Sequence, residues 1–256
     1  MILNRFKTCF IIYMKGLGLL LFLLLAIKAS SQSDSLWNIR YSSRMIPLSG
    51  TKIKLKGLVD LTGQKADLKK YRGKVIYLGF WDPVCGSALI DNRYEPLLLS
   101  SLETLGIDNQ IVLIKVCDHR VSLKEWRNYI DTNHLVGIQL YTKRNIFKMF
   151  KHKKLADPPV GTPNYWIIDK SGTVLGTSVS GPDEFFLPIY MLEKALESTK
   201  CSESVSKVLN DYPRKDSNSE EMRKLFRKLE LKQKEYEMEI ENTEKWIEEQ
   251  NRKMAR

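Results

Sequence analysis

Val75-Ile-Tyr-Leu-Gly-Phe-Trp81 runs for seven residues with almost no polar relief, the pattern of a strand covered on both faces. Ile111 to Val116 predicts a second buried strand. Upstream, Ile53, Leu55 and Val59 alternate with Lys52, Lys54 and Lys56, the period of a strand with one wet face. A turn at Asp60-Leu-Thr-Gly63 and the stretch Leu68–Lys74 lead into the first buried strand. Asp82-Pro-Val-Cys-Gly86 then turns into a helical stretch that reaches towards Leu105. Ser122 and Glu125 have capping-box spacing and open a helix containing Trp126, Tyr129 and Ile130. A short helix is expected over Arg144–Lys151. Tyr165–Ile168, the turn Asp169-Lys-Ser-Gly172 and Val174–Thr177 read as a hairpin, and Asp183–Glu197 as a closing helix. Strand, helix, strand, helix, hairpin and helix together predict an α/β fold with a mixed sheet flanked by helices.

The two ends depart from this pattern. Residues 1–31 carry Arg5, Lys7, Lys15 and Lys28, no acidic residue, and an apolar run between Lys15 and Lys28. That run is shorter than the roughly 20 residues of a spanning helix, and Ala29-Ser-Ser31 follows it. These features predict a signal peptide, with an uncleaved membrane anchor as the alternative; both imply export to a periplasm or cell envelope. Residues 32–46 read as a spacer, 47–200 as the globular domain, and 201–219 as a linker. From Glu220 the chain becomes rich in Glu, Lys, Arg and Gln, without Pro or Gly. Met222, Leu225, Leu229, Tyr236, Ile240 and Ile247 recur near helical spacing, while Lys232 and Thr243 interrupt a strict heptad. Residues 220–256 are therefore a long charged helix, either alone or pairing with a partner or a second copy.

Composition narrows the function classes. The 256-residue chain is 43% hydrophobic and 10% aromatic, enough for a sizeable core. Its net charge is +11, from 41 basic and 30 acidic residues; loss of the four leader cations leaves +7. The surplus is densest in Lys143, Arg144, Lys148, Lys151, Lys153 and Lys154. No nucleic-acid fold signature accompanies that cluster, which reads as a solvated face rather than a nucleic-acid site. A P-loop, a Gly-x-Gly-x-x-Gly turn, a nucleophile elbow and a His-Glu-x-x-His motif are all missing. No cofactor or metal is implied. Cys9 leaves with the leader, so Cys85, Cys117 and Cys201 remain. An odd number in an oxidising compartment is not a disulfide scaffold.

Cys85 is the candidate for chemistry. It follows a buried strand and opens a helix, where backbone N–H groups and the positive end of the helix dipole favour a thiolate. The thiolate is the attacking species in thiol–disulfide exchange.

Phe80-Trp-Asp-Pro-Val-Cys-Gly-Ser-Ala88 resembles the Phe-Trp-x-x-x-Cys-Gly-Pro-Cys turn of thioredoxin-like proteins. Gly63 through Leu68, Tyr71-Arg-Gly-Lys74 and Val75 resemble the exported TlpA/ResA branch of thiol–disulfide oxidoreductases. Val160-Gly-Thr-Pro-Asn164 through Gly172 is similar to that family's segment bearing a cis proline, placing the bond at Thr162–Pro163. The likeness spans about residues 47–200 and implies a three-layer thioredoxin-like fold. It implies Cys85 as the catalytic nucleophile, Thr162 and Pro163 as substrate-binding residues, and Trp81 packed beside the turn. It also implies protein thiols or disulfides of exported clients as partners.

The departures from the motif define the question. Ala88 stands in place of the resolving cysteine, Ser87 in place of proline, and Gly79 where many relatives carry a buried acid. Asp82 adds a negative charge three residues before the thiol. Autonomous dithiol chemistry by the usual route is excluded. A single-thiol redox protein remains, resolved by an external thiol or by Cys117 at the end of the neighbouring strand. A binding module using the cis-proline edge and the terminal helix is the main alternative. Peroxidase-like use of Cys85, or a metal site with Cys117 and His119, is less well supported, because Asp82 stands where a peroxidatic centre expects threonine.

Overall fold

In the computed structural model the described residues are 50–117, 120–145, 163–184, 186–197, 224–225 and 227–254. The leader, the spacer, the helix expected at Arg144–Lys151, the linker, His119, Thr162 and Cys201 lie outside them, apart from Arg144 and Asn145, which are not helical.

Among the described residues seven strands form one sheet: β1 (Leu58–Val59), β2 (Lys65–Ala66), β3 (Val75–Trp81), β4 (Ile111–Cys117), β5 (Ile138–Thr142), β6 (Asn164–Ile168) and β7 (Val174–Val179). Their spatial order is β2-β1-β5-β4-β3-β6-β7. β3, β4 and β5 run parallel, and β6 is antiparallel to β3, so the sheet is mixed. All seven β3 residues are buried, as their unbroken apolar run requires in a central strand. Helix α1 (Gly86–Thr104) joins β3 to β4, and α2 (Leu123–Asn133) joins β4 to β5. Helix α3 (Phe186–Glu197) closes the domain and packs on α1 and β3. This is the thioredoxin-like arrangement, with the cysteine turn between the central strand and its following helix.

Local chemistry sets the boundaries. The Ser122 hydroxyl accepts from the Glu125 N–H at 3.2 Å, and the Glu125 carboxylate accepts from the Ser122 N–H at 2.8 Å. Two N–H groups left without helical partners are thereby satisfied at the start of α2. His134 ends that helix in the left-handed region at φ 50°.

Alternate β3 residues face two cores. Ile76, Leu78 and Phe80 join Ile114, Val116, Leu140 and Trp166 on one side. The chain through Leu55, Leu58 and Leu68 covers that side among the described residues. Trp81 joins Cys117, Trp126 and Tyr141 in a second cluster, with Ala88 from α1.

The strand expected over residues 52–59 is only partly realised. Leu58–Val59 pairs with β2 and β5, Lys52 makes a single bridge to Thr173, and the segment between belongs to no strand. The alternation is nevertheless real in burial, since Leu55 is covered while Lys52, Lys54 and Lys56 are exposed. A one-sided wet pattern thus reports an apolar face without requiring a ladder.

The terminal helix α4 (Glu230–Met254) docks on α1. Leu229 just before it, and Lys232, Tyr236, Glu239, Thr243, Trp246, Ile247 and Gln250 within it, are the less exposed positions, and all but Ile247 recur at alternating steps of three and four. Lys232 and Thr243, which interrupt the apolar heptad in sequence, therefore lie within the seam, whereas Ile240 is 36% exposed. The polar seam matches α1. Arg93 Nε donates to Glu239 Oε1 at 2.8 Å and to Thr243 Oγ1 at 3.1 Å, and the guanidinium lies 5.7 Å from the Trp246 ring centre. Tyr94 meets Tyr236 with ring centres 5.2 Å apart.

Candidate functional site

Cys85 is the N-cap residue of α1, half-buried, with extended backbone at φ −90° and ψ 114°. Its N–H donates to the Asp82 carbonyl at 3.0 Å, and its own carbonyl accepts from the Leu89 N–H at 3.2 Å. The turn is thus tied back to β3 and forward into α1. Asp82 is fully buried, and its Oδ1 accepts from the Val84 N–H at 2.9 Å. Its Oδ2 lies 3.0 Å from Arg120 Nη1. The charge expected to bear on the thiol is therefore balanced across the turn by Arg120. Val84, immediately before the cysteine, is 74% exposed.

Trp81 lies beneath the turn and is wholly buried, so it supports the turn from the core. Cys117 is its Cα partner in the β3–β4 ladder and is equally buried. Cys85 packs at the margin of the cluster that contains both, and no disulfide joins the two cysteines. Ala88 is completely covered in the same cluster. Pro163 is half-buried just before β6. It shares a shallow cavity of about 230 Å³ with Ser87, Ile90, Asp91, Tyr165 and Asp183. The cysteine turn and the proline loop are therefore brought together, although Thr162 lies outside the described residues.

A group of ionisable side chains beneath this cavity is not apparent from the turn motif. Lys115 sits opposite Gly79 in the β3–β4 ladder. Its ammonium ion pairs with Glu95, bonds to the Asn92 side-chain carbonyl and lies 4.8 Å from the Trp81 ring centre. Burial pushes the Glu95 carboxyl upward, with Lys115 opposing the rise. Asp91, one helical turn earlier, is raised to about 8 by burial and then by the neighbouring Asp183 carboxylate. Tyr165 is raised by burial and by the adjacent carboxylates.

Gly79 shows why the acids come from α1. A Cβ there would fall 2.7 Å from Tyr165 Cε1, inside a ring stacked on Tyr77 at 4.9 Å. The space over β3 is already filled, and the carboxylates reach Lys115 from the facing helix instead. The signal was present in the sequence: a lysine within a buried apolar strand needs a partner, and Asp91 and Glu95 have the i,i+4 spacing of one helix face.

No protein-family model matches the sequence, and no curated relative matches it. Solved structures do resemble the chain. The thioredoxin domain of a thiol-disulfide oxidoreductase from Bacteroides vulgatus is 20% identical, with a TM-score of 0.44, covering 56% of this chain and 95% of that one. A thiol:disulfide interchange protein from Bacteroides sp. is 20% identical with a TM-score of 0.45, covering 59% and 91%. A secreted thiol-disulfide isomerase from Corynebacterium glutamicum is 14% identical with a TM-score of 0.45, covering 56% and 86%.

Proposed function

We propose that this chain is an exported thiol–disulfide oxidoreductase of the TlpA/ResA type that works through one thiol, Cys85. The observation that carries the reading is the placement of Cys85 at the start of α1, beside the cavity shared by Ser87 and Pro163. Exposed Val84 offers an apolar contact next to the thiol. A client disulfide enters along the Pro163 loop, and the Cys85 thiolate attacks one of its sulfurs. One S–S bond forms between Cys85 and the client as the client's own S–S bond breaks, releasing the second client sulfur as a thiolate. Ala88 supplies no resolving thiol, so an external thiolate attacks the mixed disulfide and expels Cys85. Cys117 is covered by Trp126 and Tyr141 and serves the core in this scheme.

The alternative is a non-catalytic module that captures extended segments at the proline edge. Ala88 favours it, because the turn carries no second thiol. A model peptide carrying a disulfide separates the two readings. Under the redox reading Cys85→Ser loses the covalent adduct; under the binding reading it retains the same affinity for the reduced peptide, and the native protein forms no adduct.

A further inference from the structure

On the sheet face that Leu55 and Leu68 cover, two arms of chain lead away from the β1–β2 hairpin. One arm runs back from Gly57 to Lys52, and the other runs on from Lys65 to Arg72. A cavity of about 450 Å³ lies between them, within the size range of small-molecule sites. Leu55, Leu68, Ile76 and Ile168 line its floor, and Lys52, Lys54, Lys56, Lys65, Lys69 and Arg72 stand around it with exposed side chains.

Two acidic residues, Asp67 and Asp169, also line it. Both are used locally: Asp67 accepts from the Lys69 N–H, and Asp169 accepts from the Ser171 and Thr173 N–H groups. Among the described residues, Lys54, Lys56, Lys65, Lys69 and Arg72 are in no ion pair. Five cations outside any ion pair, together with Lys52, therefore stand around a slot with an aliphatic floor. The adjoining segment 32–48 carries Arg40 and Arg44 against Asp34 alone, a charge unsuited to this rim. An added polypeptide strand is also disfavoured. Gly57 bends one arm at φ 77°, and the other arm winds into a 3-10 turn at Leu68–Tyr71.

We propose that this slot binds a single-chain aliphatic anion, the carboxylate held among the lysines and the chain laid on Leu55, Leu68, Ile76 and Ile168. Alkyl contact on the floor makes affinity depend on chain length, and the rim makes it depend on the sign of the head group.

Calorimetric titration of the full chain with hexanoate, octanoate and decanoate, below their micellar concentrations, tests both dependences. The expected result is saturable binding that tightens by up to about fourfold per added methylene. Lys54→Glu together with Lys56→Glu, two exposed positions, is expected to weaken decanoate at least tenfold while circular dichroism remains unchanged. Decyltrimethylammonium and inorganic phosphate are expected not to compete. Four results would overturn the proposal: no saturable binding, equal affinity for decyltrimethylammonium, phosphate binding as strong as decanoate, or displacement of decanoate by an oligoglutamate peptide. The last would make the slot an acidic-polypeptide surface instead.

Discussion

Lys115 and Glu95 form an ion pair in which neither side chain reaches solvent, joining the centre of the sheet to the helix that begins at Cys85. Removing one partner leaves the other charged or forces it to neutralise in a closed site. Glu95→Ala is expected to cost about 3–5 kcal/mol in urea unfolding. The double replacement Glu95→Leu with Lys115→Met should cost far less, because no isolated charge remains. Equal losses from the single and double replacements would show that the pair is not coupled in this way.

Asp91 gives the stability a pH dependence of definite sign. Its carboxyl titrates at about 8 in the folded chain, against a model-compound value of 3.8. Between those values the folded state holds a proton that the unfolded state has released. Its contribution is complete below about pH 4 and is lost as pH rises through about 8, with a slope of up to ~1.4 kcal/mol per pH unit. Asp91→Asn should remove that slope, which chemical denaturation at pH 5, 6, 7 and 8 can follow. Parallel profiles for the two proteins would contradict the assignment.

Gly79 is fixed by the Tyr165 ring rather than by backbone conformation. Gly79→Ala should destabilise the chain by about 1–3 kcal/mol through overpacking. Thermal melting reads this directly, and a neutral result would mean that the stacked Tyr77–Tyr165 pair yields easily.

The α1–α4 seam has a polar and an apolar part with different expected weights. Leu229 is fully covered, so Leu229→Ala should cost about 2–5 kcal/mol. The Arg93–Glu239 pair is partly exposed, with side chains 30% and 25% accessible, so a double-mutant cycle should return only about 0.2–1 kcal/mol. A larger coupling would mean that the pair organises the seam rather than decorating it.

Much of this architecture was legible because single residues carried strong local signals. The unbroken apolar runs gave β3 and β4, Ser122 and Glu125 gave the start of α2, and Asp169 to Gly172 gave the β6–β7 turn. β5 was missed: Ile138-Gln-Leu-Tyr-Thr142 is short, and its pairing with β4 is a long-range fact. The Lys52–Val59 alternation predicted a ladder where there is mainly an apolar face. At the candidate site the turn pointed to Cys85 and the resemblance to a cis-proline segment pointed to Pro163, but the ionisable group beneath them depends on tertiary contact. Lys115 is far in sequence from Asp91 and Glu95, and only the packing of α1 on the sheet unites them. The docking of α4 was hidden for the same reason, since Lys232 and Thr243 disrupt a self-pairing heptad, yet Thr243 accepts from Arg93 and Lys232 pairs with Glu235.

The most direct test of a single-thiol mechanism is the rate and site of mixed-disulfide formation. The intact folded protein would be treated with a peptide disulfide, quenched at intervals, and mapped by mass spectrometry across Cys85, Cys117 and Cys201. The prediction is an adduct confined to Cys85, released by glutathione and absent from Cys85→Ser. An adduct elsewhere that survives Cys85→Ser, or none at Cys85 while the chain remains folded, would contradict the account.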